Sequence, residues 1–395
     1  MSARAAAPAA HAPQVFRELL DRFDPHVIHV PGGQARIRLV VTDGETWDAL
    51  LRGGHAWLEP PAEGAHPDAL LSADQATWER VARDIRGGMD AFRRGRLSVR
   101  TSLHLGVGFL AATSGFTEPA RLRFEPVRTP VGEVSTMQAG SGEPLLAIHG
   151  LGGTKASFLP TVAALADSHR VIAVDLPGFG ESDKPIGAPY DSAWFAGALT
   201  GLLDELGIER AHLVGNSMGG RVAIELGLTA PDRMGRIVLL SPALAWLRDR
   251  RWALVVRALR PELGLIQLAP RPVVEKVVRR LIPGAAEGWT AAGVDEFLRA
   301  YLTPRGRAAF YAAARNIYLD EPHGDNGFWP RLAALSPEAM FVWGRQDSLV
   351  PISFMKHVEK ALPAARHVEL DCGHVPQLER PRETHAAIRD FLADG

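Results

Sequence analysis

Gly215-Asn216-Ser217-Met218-Gly219-Gly220 carries more structural information than any other part of this sequence. It follows the apolar run 211–214 and precedes a helical pattern at 221–226. A serine between glycines at a strand-to-helix turn is typical of the nucleophile elbow G-x-S-x-G. The turn is so tight that side chains at the flanking positions would clash, and it leaves the serine strained with its hydroxyl exposed. The amides that begin the following helix favour negative charge beside that hydroxyl.

The composition limits the classes of protein to which this chain can belong. Its 395 residues exceed what one hydrophobic core usually serves, so we expect two domains or one domain with a large insertion. Lys and Arg number 44 against 45 Asp and Glu, which argues against a nucleic-acid partner because such proteins carry a strong basic excess. The single cysteine, Cys372, excludes an intrachain disulfide and suits a reducing compartment.

The N-terminal residues and the apolar stretches give an expectation about location. Residues 1–13 are rich in Ala and Pro without a continuous apolar core, so they predict a disordered leader and not a signal peptide. The nearest candidate for a membrane span is 252–268. Charged residues and a proline interrupt it, so its apolar runs are too short to cross a membrane. We therefore expect a cytoplasmic protein that can touch a membrane surface without crossing the membrane.

Two zones of different pattern predict the domain organisation. Residues 14–115 alternate short strands and helices in a small unit, and turn residues around 114–120 predict a linker that ends near residue 126. Residues 127–395 alternate longer strands, turns and helices. Within this second zone about a hundred residues between Leu240 and Met340 show helical patterns and no strand signal, which predicts a helical cap over about 243–330.

Two segments of the first zone resemble the sterol-carrier-protein family of small lipid-binding domains. They are Ala69-Leu70-Leu71-Ser72, before a helix that contains Trp78, and Ala91-Phe92-Arg93-Arg94-Gly95-Arg96-Leu97-Ser98-Val99-Arg100, before an apolar helix. The resemblance implies a five-stranded sheet with helices that enclose an apolar tunnel for a fatty acyl or sterol-like ligand. Thr101 stands where family members usually carry glycine. The alternative is a small α+β domain with a filled core that serves docking or oligomerisation.

The second zone contains six short apolar runs separated mostly by helical stretches, as in a parallel sheet covered on both faces. The runs are 145–150, 171–175, 213–215, 237–240, 340–343 and 367–370. Asp347 follows the fifth run and His374 follows the sixth. The carboxyl ends of such strands gather at one edge of the sheet. The order Ser217, Asp347, His374 therefore predicts a nucleophile, a group that orients the base, and the base. Taken singly, the aspartate could be a capping or turn residue and the histidine an ordinary surface residue.

The sequence also predicts the donors that would receive an oxyanion. His149-Gly150-Leu151-Gly152-Gly153 follows the first apolar run, which is the position of an oxyanion loop. The donors should be the backbone N–H groups of Leu151 and Met218, and each can stabilise a transition state by about 3 kcal/mol. We expect His149 to brace the loop by hydrogen bonding and not to carry protons.

Residues 127–392 as a whole resemble the α/β-hydrolase family. Besides the elbow, the resemblance rests on Asp175-Leu176-Pro177-Gly178-Phe179-Gly180-Glu181-Ser182 and Val375-Pro376-Gln377-Leu378-Glu379-Arg380-Pro381. It implies an α/β fold with a mostly parallel sheet. Serine at the elbow separates the chain from haloalkane dehalogenases and epoxide hydrolases, which use aspartate there. The elbow is similar to that of the carbon–carbon bond hydrolases of aromatic degradation, but those usually have tryptophan where Val375 stands.

Other reactive side chains have plainer interpretations. Cys372 lies near His374 in sequence, yet a buried small hydrophobe is the better interpretation than a nucleophile. The histidines are too scattered for a zinc site, so we expect no metal and no cofactor. The aromatic residues of the cap line an acyl pocket or pack between helices; they are Trp246, Trp252, Trp289, Phe297, Tyr301, Phe310 and Tyr311.

These observations predict a serine hydrolase that cleaves a carboxylic ester or thioester of an apolar acyl or lipid-like substrate. The first domain would collect or present lipid. Two alternatives stay open at this point: carbon–carbon bond hydrolysis of an aromatic ring-cleavage product, and a lipid carrier whose second domain is not catalytic.

Overall fold

The computed structural model describes residues 11–83, 85–115, 121–245, 253–266, 270, 272–273, 275–276 and 287–393. The chain forms two compact units. Unit 1 comprises Met1–Glu125 with Ala286–Glu296, and unit 2 comprises Pro126–Ala285 with Phe297–Gly395. Most of the predicted leader, part of the predicted linker, the tryptophans at 246 and 252, and further parts of the predicted cap lie outside the described residues.

Unit 1 contains a five-stranded sheet, the number of strands that the resemblance implied. The strands are β1 (Gln34–Val41), β2 (Thr46–Arg52), β3 (His55–Glu59), β4 (Ala69–Ala73) and β5 (Leu97–Arg100), in the order β3-β2-β1-β4-β5. Strands β1 and β4 pair in parallel, and the other neighbours pair antiparallel. The helices are α1 (Gln14–Leu20), α2 (Gln75–Arg83), α3 (Ile85–Arg93) and α4 (Leu103–Ala112).

Local sequence signals explain these elements. Alternate residues of β1 are buried, as its apolar alternation predicts. Asp74 caps α2 because its carboxylate accepts the amide of Thr77 at 2.6 Å. Thr101 has φ 71°, the left-handed conformation that glycine adopts easily. This is the position at which the resemblance leads us to expect glycine. The Thr101 amide donates to Asp295 at 3.1 Å.

Unit 1 is discontinuous in sequence, because it includes a segment of the predicted cap. Residues 286–296, which fall within the cap predicted from sequence, belong to unit 1. Trp289 packs edge-on against Phe92 with ring centroids 4.9 Å apart. Arg100 pairs with Asp295, and Glu296 accepts the amide of Leu103. Trp289 thus packs against a side chain of unit 1.

Unit 2 contains an eight-stranded, mostly parallel sheet covered by helices. Its strands are β6 (Arg123–Thr129), β7 (Gly132–Ala139), β8 (Glu143–Ile148), β9 (His169–Val174), β10 (Ala211–Asn216), β11 (Met234–Leu240), β12 (Ala339–Gly344) and β13 (Arg366–Leu370). Their order is β13-β12-β11-β10-β8-β9-β7-β6. Strands β8 to β13 pair in parallel, and β7 pairs antiparallel with β9. All six predicted strands are present, whereas β6 and β7 were not predicted.

The helices of unit 2 include those of the predicted cap. They are α5 (Leu159–Leu165), α6 (Ser192–Glu205), α7 (Met218–Thr229), α8 (Ala253–Ala258), α9 (Glu287–Tyr301, which begins in unit 1), α10 (Pro304–Tyr318), α11 (Phe328–Leu332), α12 (Met355–Ala361), α13 (Pro376–Glu379) and α14 (Pro381–Ala393). Among the described residues between β11 and β12 there are helices and no strand. No helix in the described part of the chain has the length and apolar character needed to cross a membrane.

Candidate active site

Ser217 occupies the tight turn that the sequence predicts between β10 and α7. Its backbone has φ 52° and ψ −115°, a conformation that costs a non-glycine residue energy. The Ser217 amide donates to the carbonyl of Leu240 at 3.0 Å, and its own carbonyl accepts the amides of Ala243 and Arg221. These three bonds hold the strained residue at the carboxyl end of the strand.

The glycines around Ser217 are required by backbone contacts. A Cβ atom on Gly215 would lie 2.4 Å from the carbonyl oxygen of Gly219. One on Gly219 would lie 2.0 Å from the carbonyl oxygen of Ile148, at the end of β8. The first oxygen belongs to helix α7 and the second to strand β8, so neither can move without disrupting its element. The motif therefore fits helix α7 closely against two strands, and this fit aims the first amides of α7 at the site.

Asp347 and His374 meet as the sequence predicts. His374 Nδ1 lies 2.8 Å from Asp347 Oδ2, and both residues are buried. A carboxylate only accepts hydrogen bonds, so Nδ1 carries the proton and Nε2 is left as the basic nitrogen. Burial raises the pKa of the Asp347 carboxyl, but the hydrogen bonds from His374 and from the amides of Val350 and Leu349 outweigh burial and bring it below its ordinary value. Asp347 is thus ionised at neutral pH and orients the imidazole.

Two residues that sequence reasoning missed hold His374 in place. Asn216 Nδ2 donates to the carbonyl of His374 at 3.1 Å and to that of Leu240 at 3.0 Å, so the residue before the nucleophile is tied to the histidine. Glu379 accepts the amides of Gly373 at 2.9 Å and Val375 at 3.0 Å, one on each side of His374. The transfer of a proton from Ser217 Oγ to His374 Nε2 stays a prediction.

The loop proposed to hold the oxyanion lies against the nucleophile. A Cβ atom on Gly150 would lie 3.2 Å from Cβ of Ser217. His149 Nε2 accepts the amide of Leu176 at 3.0 Å, so its Nδ1 carries the proton and donates to the carbonyl of Gly150 at 2.7 Å. Burial lowers the pKa of His149, which keeps the imidazole neutral. The bracing role expected of His149 agrees with these contacts, while the roles of the Leu151 and Met218 amides remain predictions.

A buried ion pair supports this loop from the next strand. Asp175, directly after β9, pairs with Lys155 and also accepts the amides of Lys155 at 2.7 Å and Glu181 at 2.9 Å. Burial would raise the pKa of Asp175, but the charge of Lys155 and these hydrogen bonds lower it to about 2. From the sequence, this turn supports only the family resemblance; its acidic residue fixes the segment that follows residues 149–153.

Aromatic side chains of the cap contact the oxyanion loop. A Cβ atom on Gly152, which has φ 73°, would lie 2.3 Å from the ring of Phe297 and 3.2 Å from that of Phe310. Phe297 stacks on Tyr301 with centroids 5.3 Å apart, and Phe310 packs edge-on against both. These cap aromatics thus pack together and cover the loop beside Ser217.

The environment of Cys372 agrees with its interpretation as a buried small hydrophobe. Cys372 is 2% exposed, and burial together with the nearby Glu379 raises the pKa of its thiol to about 12. It is therefore not a thiolate nucleophile. The described residues contain no group of three or more His, Cys, Asp or Glu side chains arranged to hold a metal ion.

Comparison with known proteins shows the family. The profile of the alpha/beta hydrolase fold family matches residues 143–381. The chain belongs to this family. It is also 30% identical over 297 residues to a 2-hydroxy-6-oxononadienedioate/2-hydroxy-6-oxononatrienedioate hydrolase of Paraburkholderia xenovorans, a match that covers 71% of this chain and 98% of that protein. A hydrolase family and hydrolase relatives establish that the protein is an enzyme and a hydrolase.

Two further relatives show how varied the family's chemistry is. A dihydrolipoyllysine-residue acetyltransferase component of an acetoin cleaving system from Cupriavidus necator is 32% identical over 271 residues, and the match covers 65% of this chain and 65% of that protein. The chain thus matches less than two thirds of this relative's length. A solved thermophilic esterase of Thermogutta terrifontis superposes with a TM-score of 0.57 at 25% identity and covers 68% of this chain and 98% of the esterase.

Proposed function

We propose that this protein is a serine hydrolase that cleaves carboxylic esters or thioesters with an apolar acyl group or lipid-like body. The observation that carries the proposal is the 2.8 Å contact between His374 Nδ1 and Asp347 Oδ2 beside the strained elbow. The carboxylate fixes the imidazole with Nε2 free to take a proton, and Asn216 ties that histidine to the residue preceding the nucleophile. These are the parts that acyl transfer needs.

The proposed reaction proceeds through an acyl-enzyme. Ser217 Oγ attacks the substrate carbonyl carbon while its proton passes to His374 Nε2. The carbonyl electron pair moves onto oxygen, and the amides of Leu151 and Met218 stabilise the oxyanion. His374 then protonates the departing alcohol or thiol as the bond to the carbonyl carbon breaks. Water repeats the sequence on the acyl-enzyme, with His374 as base, and releases the acid.

Apolar substrates are supported by the residues around the oxyanion loop. The rings of Phe297 and Phe310 cover Gly152, and Tyr301 extends the same apolar surface. Such surfaces bind aliphatic or aromatic groups and exclude water. An acyl chain that extends from a carbonyl bound at the oxyanion loop would contact these rings first.

Carbon–carbon bond hydrolysis is the second candidate, because the elbow is similar to that of such hydrolases and a relative that is 30% identical is a hydrolase of a 2-hydroxy-6-oxo dienedioate. The position after His374 departs from those hydrolases, which usually have tryptophan where Val375 stands, and this favours esters of apolar acids.

A substrate panel tests the proposed function. We expect p-nitrophenyl esters to be hydrolysed with a rate that rises with acyl length, and Ser217→Ala to lower kcat about 10⁴-fold or more. A fluorophosphonate should modify Ser217 in the wild type only. Faster turnover of a coloured dienol ring-cleavage product than of every ester would favour the second candidate. An unlabelled wild type without esterase activity would contradict the proposal and support a non-catalytic carrier.

For unit 1 we propose binding of a lipid's apolar chain. A cavity of about 230 Å³ is lined by apolar and basic side chains and by glycines; the lining residues are Phe23, Pro25, Ile28, His29, Val30, Gly33, Leu51, Arg52, Gly53, Gly54 and His55. An engineered apolar cavity of about 150 Å³ binds benzene, so this one has room for part of an acyl chain. Val30→Trp should weaken retention of a fluorescent fatty acid at least fivefold. Equal retention by Val30→Trp and the control Val131→Trp would contradict lipid binding here.

A further inference from the structure

Tyr318 is the last residue of α10, and its hydroxyl lies 3.3 Å from Ser217 Oγ. The side chain is partly buried and packs against the core of unit 2. Sequence patterns do not single it out, because the two residues are 101 positions apart. The catalytic triad of serine, histidine and aspartate assigns no role to a phenol at hydrogen-bond distance from the nucleophile.

Buried charges hold the segment that follows Tyr318. Asp320 pairs with Arg221, a residue of α7 that is 1% exposed. The Arg221 guanidinium also lies 3.9 Å from the centroid of the Phe328 ring. One turn further along α7, Glu225 pairs with Arg331. Because α7 begins directly after Ser217, these contacts tie the phenol and the nucleophile to the same helix.

The phenol keeps its proton over the working pH range. Burial raises the pKa of Tyr318 above its ordinary value, and the negative charge of Asp347 acts in the same direction. Tyr318 is thus a neutral phenol near pH 7, with a hydrogen that it can donate. The hydroxyls of other tyrosines in the unit bond elsewhere: Tyr301 and Tyr311 bond to each other at 3.1 Å, and Tyr190 donates to the carbonyl of Pro185 at 2.8 Å.

We propose that Tyr318 is a catalytic hydrogen-bond donor to Ser217 Oγ, an inference that rests on the proposed serine hydrolase function. A hydroxyl has one hydrogen to donate and two lone pairs to accept with. When the phenol donates to one lone pair of Oγ, the serine hydrogen is left for His374 Nε2. The serine is then both oriented toward its base and polarised toward the alkoxide.

The hydrogen bond strengthens when charge develops on Oγ. As the proton moves to His374 and the bond from Oγ to the carbonyl carbon forms, Oγ carries partial negative charge, and a donor to such an atom is worth more than one to a neutral hydroxyl. In deacylation the bond between Oγ and the acyl carbon breaks, and the phenol stabilises the departing serine oxygen until His374 returns the proton. Tyr318 keeps its own proton throughout.

The experiment compares Tyr318→Phe with Tyr190→Phe, a matched change in the same unit that removes a hydroxyl bonded away from the nucleophile. The first readout is the rate at which a fluorophosphonate modifies Ser217, which requires no knowledge of the natural substrate. The second is kcat and KM on a p-nitrophenyl ester. For Tyr318→Phe we expect phosphonylation and kcat each to fall at least tenfold with KM within twofold, and for Tyr190→Phe neither rate to change by more than twofold.

A second variant separates hydrogen bonding from shape. A chain with 3-fluorotyrosine at position 318 keeps the ring and has a more acidic phenol, so its phosphonylation rate should equal or exceed that of the wild type. Tyr318→Phe with wild-type rates, or a fluorotyrosine chain as slow as Tyr318→Phe, overturns the role of Tyr318. Wild-type protein that is not phosphonylated at all overturns the proposed function itself.

Discussion

Ser217 is held in a strained backbone conformation. Its positive φ costs of order 1–3 kcal/mol, which the hydrogen bonds to Leu240, Ala243 and Arg221 offset. A relaxed conformation at this position would turn the side chain away from the end of β10. The strain therefore keeps the hydroxyl at the carboxyl end of β10, beside the loop that contains Gly150.

Replacement of Asp347 by asparagine should disturb the orientation of the His374 imidazole and leave the rest of the site in place. Asparagine can present its NH₂ to Nδ1 and so favour the wrong tautomer, which lowers kcat by about 10⁴-fold in the serine protease triad. We expect a loss of 10³-fold or more here, measured on a p-nitrophenyl ester. Asp371→Asn is the control, because that carboxylate is exposed and accepts a hydrogen bond from the Gln346 side chain. Comparable rates for Asp347→Asn and wild type would exclude Asp347 as the orienting residue.

Glu379 should act on catalysis through the backbone of His374. Its two oxygens accept the amides on both sides of the histidine, and glutamine can accept only one of them while placing an NH₂ group against the other. We predict that Glu379→Gln lowers kcat about tenfold with KM within twofold. The control is Glu369→Gln, which removes an exposed partner of Arg345. A rise in KM with kcat unchanged would show that Glu379 does not position the base.

The residues predicted from sequence differ in kind from those that were missed. Ser217, Asp347 and His374 follow strands in short motifs, so local pattern and chain order suffice to find them. Asn216 was quoted only as part of the elbow, and its bond to His374 spans 158 residues. Glu379 lies within a motif that was used for family resemblance alone. Their roles depend on contacts, which no local pattern reveals.

At the scale of elements, the turn that joins β10 to α7 should not accommodate a Cβ atom at Gly219. Gly219→Ala would place Cβ 2.0 Å from the carbonyl oxygen of Ile148, so we predict a loss of about 3 kcal/mol or more in the free energy of unfolding. Gly197, inside α6, is exposed with nothing within 4 Å of an added Cβ. Gly197→Ala should therefore stabilise the protein by about 0.5–1 kcal/mol. Urea unfolding measures both, and an unaffected Gly219→Ala would contradict the proposed close fit.

The ion pair between Asp175 and Lys155 should give unit 2 a pH-dependent stability. The folded-state pKa of Asp175 is about 2 against an ordinary value of 3.8, so its contribution is complete above the ordinary value and is lost as the pH falls from about 4 to 2. The difference amounts to about 2 kcal/mol. Urea unfolding across this range should show the loss in wild-type protein.

Asp175→Asn is the variant that isolates this contribution. It should cost about 3–5 kcal/mol at neutral pH, because Lys155 is left buried without its partner, and it should abolish the acid-dependent part. Asp204→Asn, which removes an exposed pair with Arg233, should cost at most about 1 kcal/mol. An Asp175→Asn protein as stable as the Asp204→Asn control would contradict the structural role of the pair.

The strand at the end of the predicted linker escaped prediction for a physical reason. Strand β6 lies at the edge of its sheet, and most of its residues are exposed or half-buried. It also contains Pro126, which is tolerated at a sheet edge but is typical of a linker in sequence. The buried parallel strands β8 to β12, in contrast, are short apolar runs that sequence identifies directly.

At the scale of the whole molecule, the division into units does not follow chain order. The contacts that join residues 295 and 296 to unit 1 span 193–195 positions, so pattern and composition place this segment with its sequence neighbours in the cap. Two side-chain contacts assign this segment to unit 1. Trp289 packs on Phe92, and Asp295 pairs with Arg100.

Unit 1 should therefore be incomplete without residues 286–296. We predict that a fragment of residues 1–125 has a low thermal midpoint, which a peptide of residues 286–301 raises in a concentration-dependent way. A ligand that binds only the folded form at 100 times its Kd stabilises by about 2.7 kcal/mol. A peptide with Trp289→Ala and Asp295→Asn should have little effect, because it lacks the ring that packs on Phe92 and the carboxylate that pairs with Arg100. A fragment whose midpoint neither peptide changes would show that residues 1–125 fold as a complete domain, with the helix from 287 contributing nothing to their stability.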